Sequence, residues 1–286
     1  MDDVEAILKR HNDFENSVAA QDKVLRTFSD NGEKLITQNH YDAKYIAERR
    51  DQVLERRAAL KNLAQARRRA LQASKDYQKF SAEADDLNAW LIDKMKIAGD
   101  ENYKDLTNLP RKLQKHTAFE RELRANEGQL RNVNKEADSL ISANNRPDDV
   151  GKMVANLNKK WKDLIALSLD KGRRLEQAAS QREHNRNIED AKKKLDELQT
   201  ILQSREVGHD LRSCKELMNK HQLLESDITL WEQRIAELVS SGDEMAHEGH
   251  FDAKNIQVET KIIQEQFKQL KDPMAERRDA LNESLR

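Results

Sequence analysis

The sequence predicts an all-α protein: tandem antiparallel three-helix bundles stacked into an elongated rod with continuous helical linkers. Three observations carry that expectation. The first is a repeat. The stretch Lys112–Leu123 (Lys-Leu-Gln-Lys-His-Thr-Ala-Phe-Glu-Arg-Glu-Leu) has counterparts around His11 and His221, and His11, His116 and His221 are separated by 105 residues twice. A fixed period signals an array of one supersecondary unit. The second is composition: 36% charged residues, 5% aromatics, 8 Gly and 3 Pro in 286 residues favour long helices over sheets. The third is periodicity, because apolar residues advance by alternating steps of about 4 and 3 along narrow stripes, as in left-handed helical bundles.

Residues 4–37 read as the first helix, with the stripe Ile7, His11, Phe14, Val18, Gln21, Leu25, Phe28, Gly32 and Leu35. Asn39–Asp42 interrupts it, and Asp42 is placed to cap the next helix. That helix should run unbroken from about 43 to 97, since no Gly or Pro lies between Glu33 and Ala98. Its stripe, Ile46, Val53, Leu60, Ala64 and Leu71, resumes as Phe80, Ala84, Leu87 and Leu91. At roughly 80 Å by helical rise, it has to belong to two neighbouring bundles.

Gly99–Asn102 closes it. The following helix starts near Thr107 or Asn108, tolerates Pro110 in its first turn, and carries His116, Phe119, Leu123, Leu130, Val133, Ala137 and Leu140. After a turn at Asn144–Pro147, another long helix is expected through Trp161, Leu164, Leu175, His184, Ile188 and Leu198 to Leu202, closed by Val207–Asp210. Gly172 in its interior costs about 1 kcal/mol relative to Ala. Next comes the stripe Leu217, His221, Leu224, Ile228, Trp231, Ile235, Leu238, Gly242 and Met245, followed by a turn at Gly249–Asp252. The last helix holds Ile256, Ile263, Phe267, Leu270, Met274 and Leu281, with Pro273 expected to kink it.

The chain therefore divides into a partial repeat of two helices, 1–76, and complete repeats at 77–181 and 182–286. The expected core is Phe14, Phe28, Trp90, Phe119, Leu123, Trp161, Leu224, Trp231 and Phe267. The expected helical linkers carry Leu71, Ser74 and Phe80, then Leu175, Ala178 and His184. In the incomplete first repeat the seam Phe14–Leu35 is open to exchange or pairing with a helix from another chain.

Composition also excludes. A net charge of −1 gives no pull toward nucleic acid or an anionic surface. No segment approaches the roughly 18 apolar residues of a membrane span, and the acidic start Met1–Glu5 has no signal-peptide profile. Cys214 is alone, which points to a reducing cytosolic setting and a bystander thiol. His11, His116 and His221 stand one per bundle, so they cannot converge on a metal and are read as seam residues. Arg67–Arg69 could contact a phosphate surface, but Glu48, Glu55 and Asp76 lie on the same long helix, so a solvated face is favoured. Nothing resembles a nucleophile, a phosphate loop or a carboxylate pair in a cleft, so no enzyme, metal or cofactor is expected.

The residues resemble the spectrin repeat family. A unit of ~105 residues with Trp90 and Trp161 fits its pattern. More specific are Asp100–Asn108, Lys115-His116, Asn185–Asp190 and Gly249–Ile256, which look like the α-chain branch, non-erythroid type. The departures are Lys194 and Arg57, which stand where the family's Trp would be in the last and first repeats. The resemblance implies a structural segment of the membrane skeleton on the cytoplasmic, cortical face of the plasma membrane. It further implies lateral antiparallel pairing with β-spectrin and indirect links to actin and ankyrin. The alternative is a docking scaffold, in which one repeat binds a particular protein or lipid.

Overall fold

The computed structural model describes residues 2–285. Among them eight α-helices follow in order: α1 Asp2–Ala20, α2 Asp22–Thr37, α3 Ala43–Ala98, α4 Leu109–Ser142, α5 Pro147–Leu202, α6 Leu211–His247, α7 Ala253–Lys268 and α8 Lys271–Ser284, with a short 3-10 turn at Asn102–Lys104 between α3 and α4. No strand occurs among the described residues. Helices α3 and α5 each run 56 residues without interruption; α3 has no Gly or Pro, as expected, and α5 continues through Gly151 and Gly172.

The turns repeat as faithfully as the helices. Asn39, Asn144 and Gly249, 105 residues apart, all adopt positive φ (56°, 54° and 73°) just past α2, α4 and α6. At each, the next amide reaches back five residues: His40 N to Leu35 O, Asn145 N to Leu140 O and His250 N to Met245 O, at 3.1, 2.9 and 3.0 Å. This is the Schellman closure, which satisfies carbonyls otherwise left open at a helix end. It explains why Asn or Gly stands at these positions, since both tolerate left-handed backbone.

Two compact units emerge. The first takes the chain up to Lys96 together with Leu123–Leu164. In it α1 and α2 lie antiparallel to the first part of α3. His11 Nε2 meets Ala64 O at 2.9 Å, Arg68 bonds Glu15 at 2.6 Å and Lys75 bonds Glu5 at 2.9 Å. The later part of α3 packs with α4 and α5 around Phe80, Ala84, Leu87, Leu91, Leu123, Val133, Val150 and Leu157, all buried. Trp90 and Trp161 are half-buried and stack with centroids 6.0 Å apart.

The second unit takes Ile97–Glu122 and everything from Ile165 onward. One core cluster in it joins Ile188, Leu195 and Leu198 of α5, Ile228 and Ile235 of α6, and Ile263 and Phe267 of α7. Trp231 packs on its edge, 6.3 Å from the Phe267 ring.

Four expectations need correction. Phe14 and Phe28 are not core: they are 43% and 42% exposed. With only α1, α2 and α3 in this part of the unit, two-helix contact covers one flank of the stripe and leaves the other open. The first helix is not continuous either, because it breaks at Gln21. There the Arg57 guanidinium reaches across to the carbonyl of Val18 and, at 2.8 Å, to Asp22. Helix α5 ends at Leu202, short of Val207, and the loop beyond it is held by Arg277 bonding the carbonyls of Ile201 and Ser204. The last helix is broken at Gln269–Leu270, not merely kinked. Pro273 becomes the third residue of α8, where its missing amide has no intrahelical partner to lose.

Candidate functional site: a joint clamped around helix α5

Within the second unit, residues 171–184 of α5 pass between two loops that the repeat places beside them. One is the α3–α4 loop, which presents Tyr103. The other is the α6–α7 loop, which presents His250, Phe251 and Asp252. Tyr103, Leu109, Leu175 and Ala178 form a separate buried cluster, with Leu106, Leu113, Ala179 and Phe251 against it. Ala178 is fully buried. Tyr103 meets Phe251 edge-on, centroids 5.1 Å apart at 66°, the geometry that aromatic quadrupoles favour.

Polar contacts ring this apolar patch. Lys171 donates to Ile97 O at 2.6 Å and to Asp100 at 2.7 Å. Arg174 donates to the Tyr103 hydroxyl at 2.6 Å while Asp170 receives its Nε at 2.7 Å. Arg173 first, and then Arg174, hold the Asp170 carboxyl below its ordinary range. On the opposite side Gln181 donates to Asp252 at 2.6 Å. His250 Nδ1 accepts the Asp252 amide at 3.0 Å, which leaves Nε2 to carry the ring proton and donate to Gln177 O at 3.0 Å. Asn145 does the same one repeat earlier, giving its amide to Ala73 O of α3 at 2.7 Å.

The α3–α4 loop is itself tied in a knot. Asp105 accepts from the Thr107 hydroxyl and amide at 2.7 and 3.0 Å and from Lys112 at 2.9 Å. Those bonds, the Thr107 hydroxyl foremost, pull its carboxyl down to about 2. Lys112 also holds the carbonyls of Asn102 and Asp105. The stretch Asp100–Asn108 that carries the resemblance is thus the stretch that fixes Tyr103 against α5.

Of the residues expected in linkers, Phe80, Leu175, Ala178 and His184 are buried, whereas Leu71 and Ser74 are half-buried. Of those expected in the core, Phe119, Leu123, Leu224 and Phe267 are buried, and the three Trp are half-buried. Lys194 ion-pairs with Asp227 at 2.7 Å. Cys214 is buried beside Ser284 Oγ at 3.2 Å. Each seam histidine faces a glutamate four residues on: His11–Glu15 at 3.5 Å, His116–Glu120 at 3.5 Å and His221–Glu225 at 3.4 Å. No cluster able to hold a metal occurs among the described residues. No helix among them is long and apolar enough to cross a membrane.

His116 also explains the interior glycine of α5. A Cβ on Gly172 would lie 2.9 Å from His116 Nε2. Gly172→Ala should therefore gain little in the native protein, because the helix-propensity gain of about 1 kcal/mol is spent displacing the ring. In a His116→Ala background the same change should stabilise by most of that amount. Denaturant midpoints of the four proteins check this; an equal effect in both backgrounds would mean the ring and the glycine are uncoupled.

Helical repeats joined through an uninterrupted helix and clamped by loops define a protein built from tandem repeats. The profile of the family described as "Spectrin repeat" matches residues 1–73, 75–177 and 180–283. The chain belongs to the spectrin repeat family, which is structural and non-enzymatic. It is similar to "Spectrin alpha chain, erythrocytic 1" of Mus musculus, 34% identical over 99% of this chain and 12% of that protein. "Spectrin beta chain, non-erythrocytic 5" of Homo sapiens is 28% identical over 84% of this chain and 7% of its own length. "Spectrin beta chain" of Drosophila melanogaster is 25% identical over 99% of this chain and 13% of its own length. The chain thus spans no more than 13% of these relatives.

Proposed function

We propose that this chain is a structural rod segment of an α-type spectrin, divided into repeats at 1–76, 77–181 and 182–286. It serves as an elastic spacer in the actin-based membrane skeleton, at the cortical face of the plasma membrane, and pairs laterally and antiparallel with β-spectrin. Links to actin and ankyrin are indirect, through other segments. The observation that supports this reading is the passage of α5 through the joint without a break, clamped on both sides by loops. A spacer needs neighbouring repeats to transmit load and unfold together, and nearest-neighbour interfaces set that cooperativity in repeat proteins. The higher identity to the α-chain than to either β-chain supports the choice of type. Sedimentation of the chain mixed with β-spectrin repeats tests the pairing. A one-to-one complex is expected; two independent species at micromolar concentrations would refute it.

A further inference from the structure

His184 lies where α5 enters the third bundle, and it is 4% exposed. Its Nε2 is 3.0 Å from Thr260 Oγ1 of α7. The Thr260 hydroxyl has one proton, and that proton goes to Ile256 O at 2.6 Å. Nε2 must therefore be the protonated ring nitrogen, donating to the threonine oxygen. Nδ1 is left with a bare lone pair, buried and without a hydrogen-bond partner. Gly242 of α6 makes the close approach possible: a Cβ there would sit 3.2 Å from Thr260 Oγ1 and 3.6 Å from His184 Cε1.

The preceding repeat builds the same place differently. Counterparts 104, 105 and 106 residues earlier are Phe80, Ala137 and Val154, all apolar. The polar pair of His184 and Thr260 thus has no counterpart in the preceding repeat.

We propose that His184 makes the first layer of the third bundle proton-sensitive: protonation at Nδ1 opens the contact among α5, α6 and α7 at this level. A second ring proton would create a buried N–H without an acceptor, on a cation in apolar surroundings, and both carry a cost. The charged and titratable groups facing the ring are few. Glu259 on α7 favours the cation and His250 in the α6–α7 loop opposes it, while Gly242 of α6 lies against the ring. Among the described residues no ion pair joins His184 to a carboxylate. By contrast, His221 has Glu225 at 3.4 Å, with Arg277 and Arg278 as opposing neighbours.

Burial is the main reason that His184 holds its proton less tightly than an ordinary histidine. Opened chains titrate near 6.5. Above that pH the closed layer has its full stability, and below it the opened form gains a proton that the closed form refuses, so stability falls as pH falls.

The test uses the whole chain. Ring signals followed by NMR from pH 8 to 5 should show His184 titrating below the ordinary histidine range. Amide exchange over residues 180–188, corrected for intrinsic rates, should show the opened population rising by up to about fivefold between pH 6.5 and 5.5. The paired variant His184→Phe with Thr260→Val, which copies the preceding repeat, should abolish that rise. An ordinary titration of His184, a flat exchange profile in the native protein, or a variant that keeps the full acid response would each overturn the proposal. Should the variant fail to fold, the titration and exchange of the native chain decide alone.

Discussion

Ala178→Pro is expected to cost about 3 kcal/mol or more and to split the unfolding of the chain into two separate transitions. Ala178 is fully buried in the cluster with Tyr103, Leu109 and Leu175. A proline there loses the amide that bonds four residues back, and its ring collides with that carbonyl. The ring would also have to enter a patch where Tyr103 and Phe251 already meet at 5.1 Å. Urea denaturation followed by Trp fluorescence reads the outcome, since Trp161 and Trp231 lie in different repeats. A single transition with an unchanged midpoint would show that α5 need not be continuous for its repeats to unfold together.

Phe267→Ala should cost about 3–5 kcal/mol, as large-to-small changes of buried aromatics do. Phe267 is among the largest fully buried side chains and lies against Trp231 with nearly parallel rings, 18° apart. Phe14→Ala supplies the internal comparison. Its ring is 43% exposed, so the loss should fall below about 1 kcal/mol, the range of changes that leave no cavity. Similar losses at both positions would mean that the stripe in residues 4–37 is covered in solution after all.

Most of the helical outline is legible in the sequence because the periodicity of each helix is a local property. The stripe through Phe80, Leu87 and Leu91, the absence of Gly and Pro across α3, and Pro110 at the start of α4 needed no partner to be read. What escaped depends on groups far apart in sequence. The break at Gln21 is set by Arg57 on another helix. The early end of α5 is set by Arg277, 75 residues past Leu202. The exposure of Phe14 and Phe28 follows from how many helices surround them, which their own pattern does not encode. The joint was half visible: the 105-residue step of His40, Asn145 and His250 marks a recurring turn. Nothing in spacing says that Asn145 and His250 donate to the carbonyls of Ala73 and Gln177. Tyr103 could have been found only from the knot of Asp105, Thr107 and Lys112 that presents it.

The grip of α3 on α1 and α2 has its own consequence. Along that boundary the recurring contacts are charged: Lys75 with Glu5, Arg68 with Glu15, Arg57 and Lys61 with Asp22, and Arg50 with Glu33. Ions in the medium weaken such attractions while leaving greasy interiors nearly untouched. Rising ionic strength would therefore soften the N-terminal stretch ahead of the oil-filled interiors that follow it, giving the chain a gradient of salt tolerance from one end to the other.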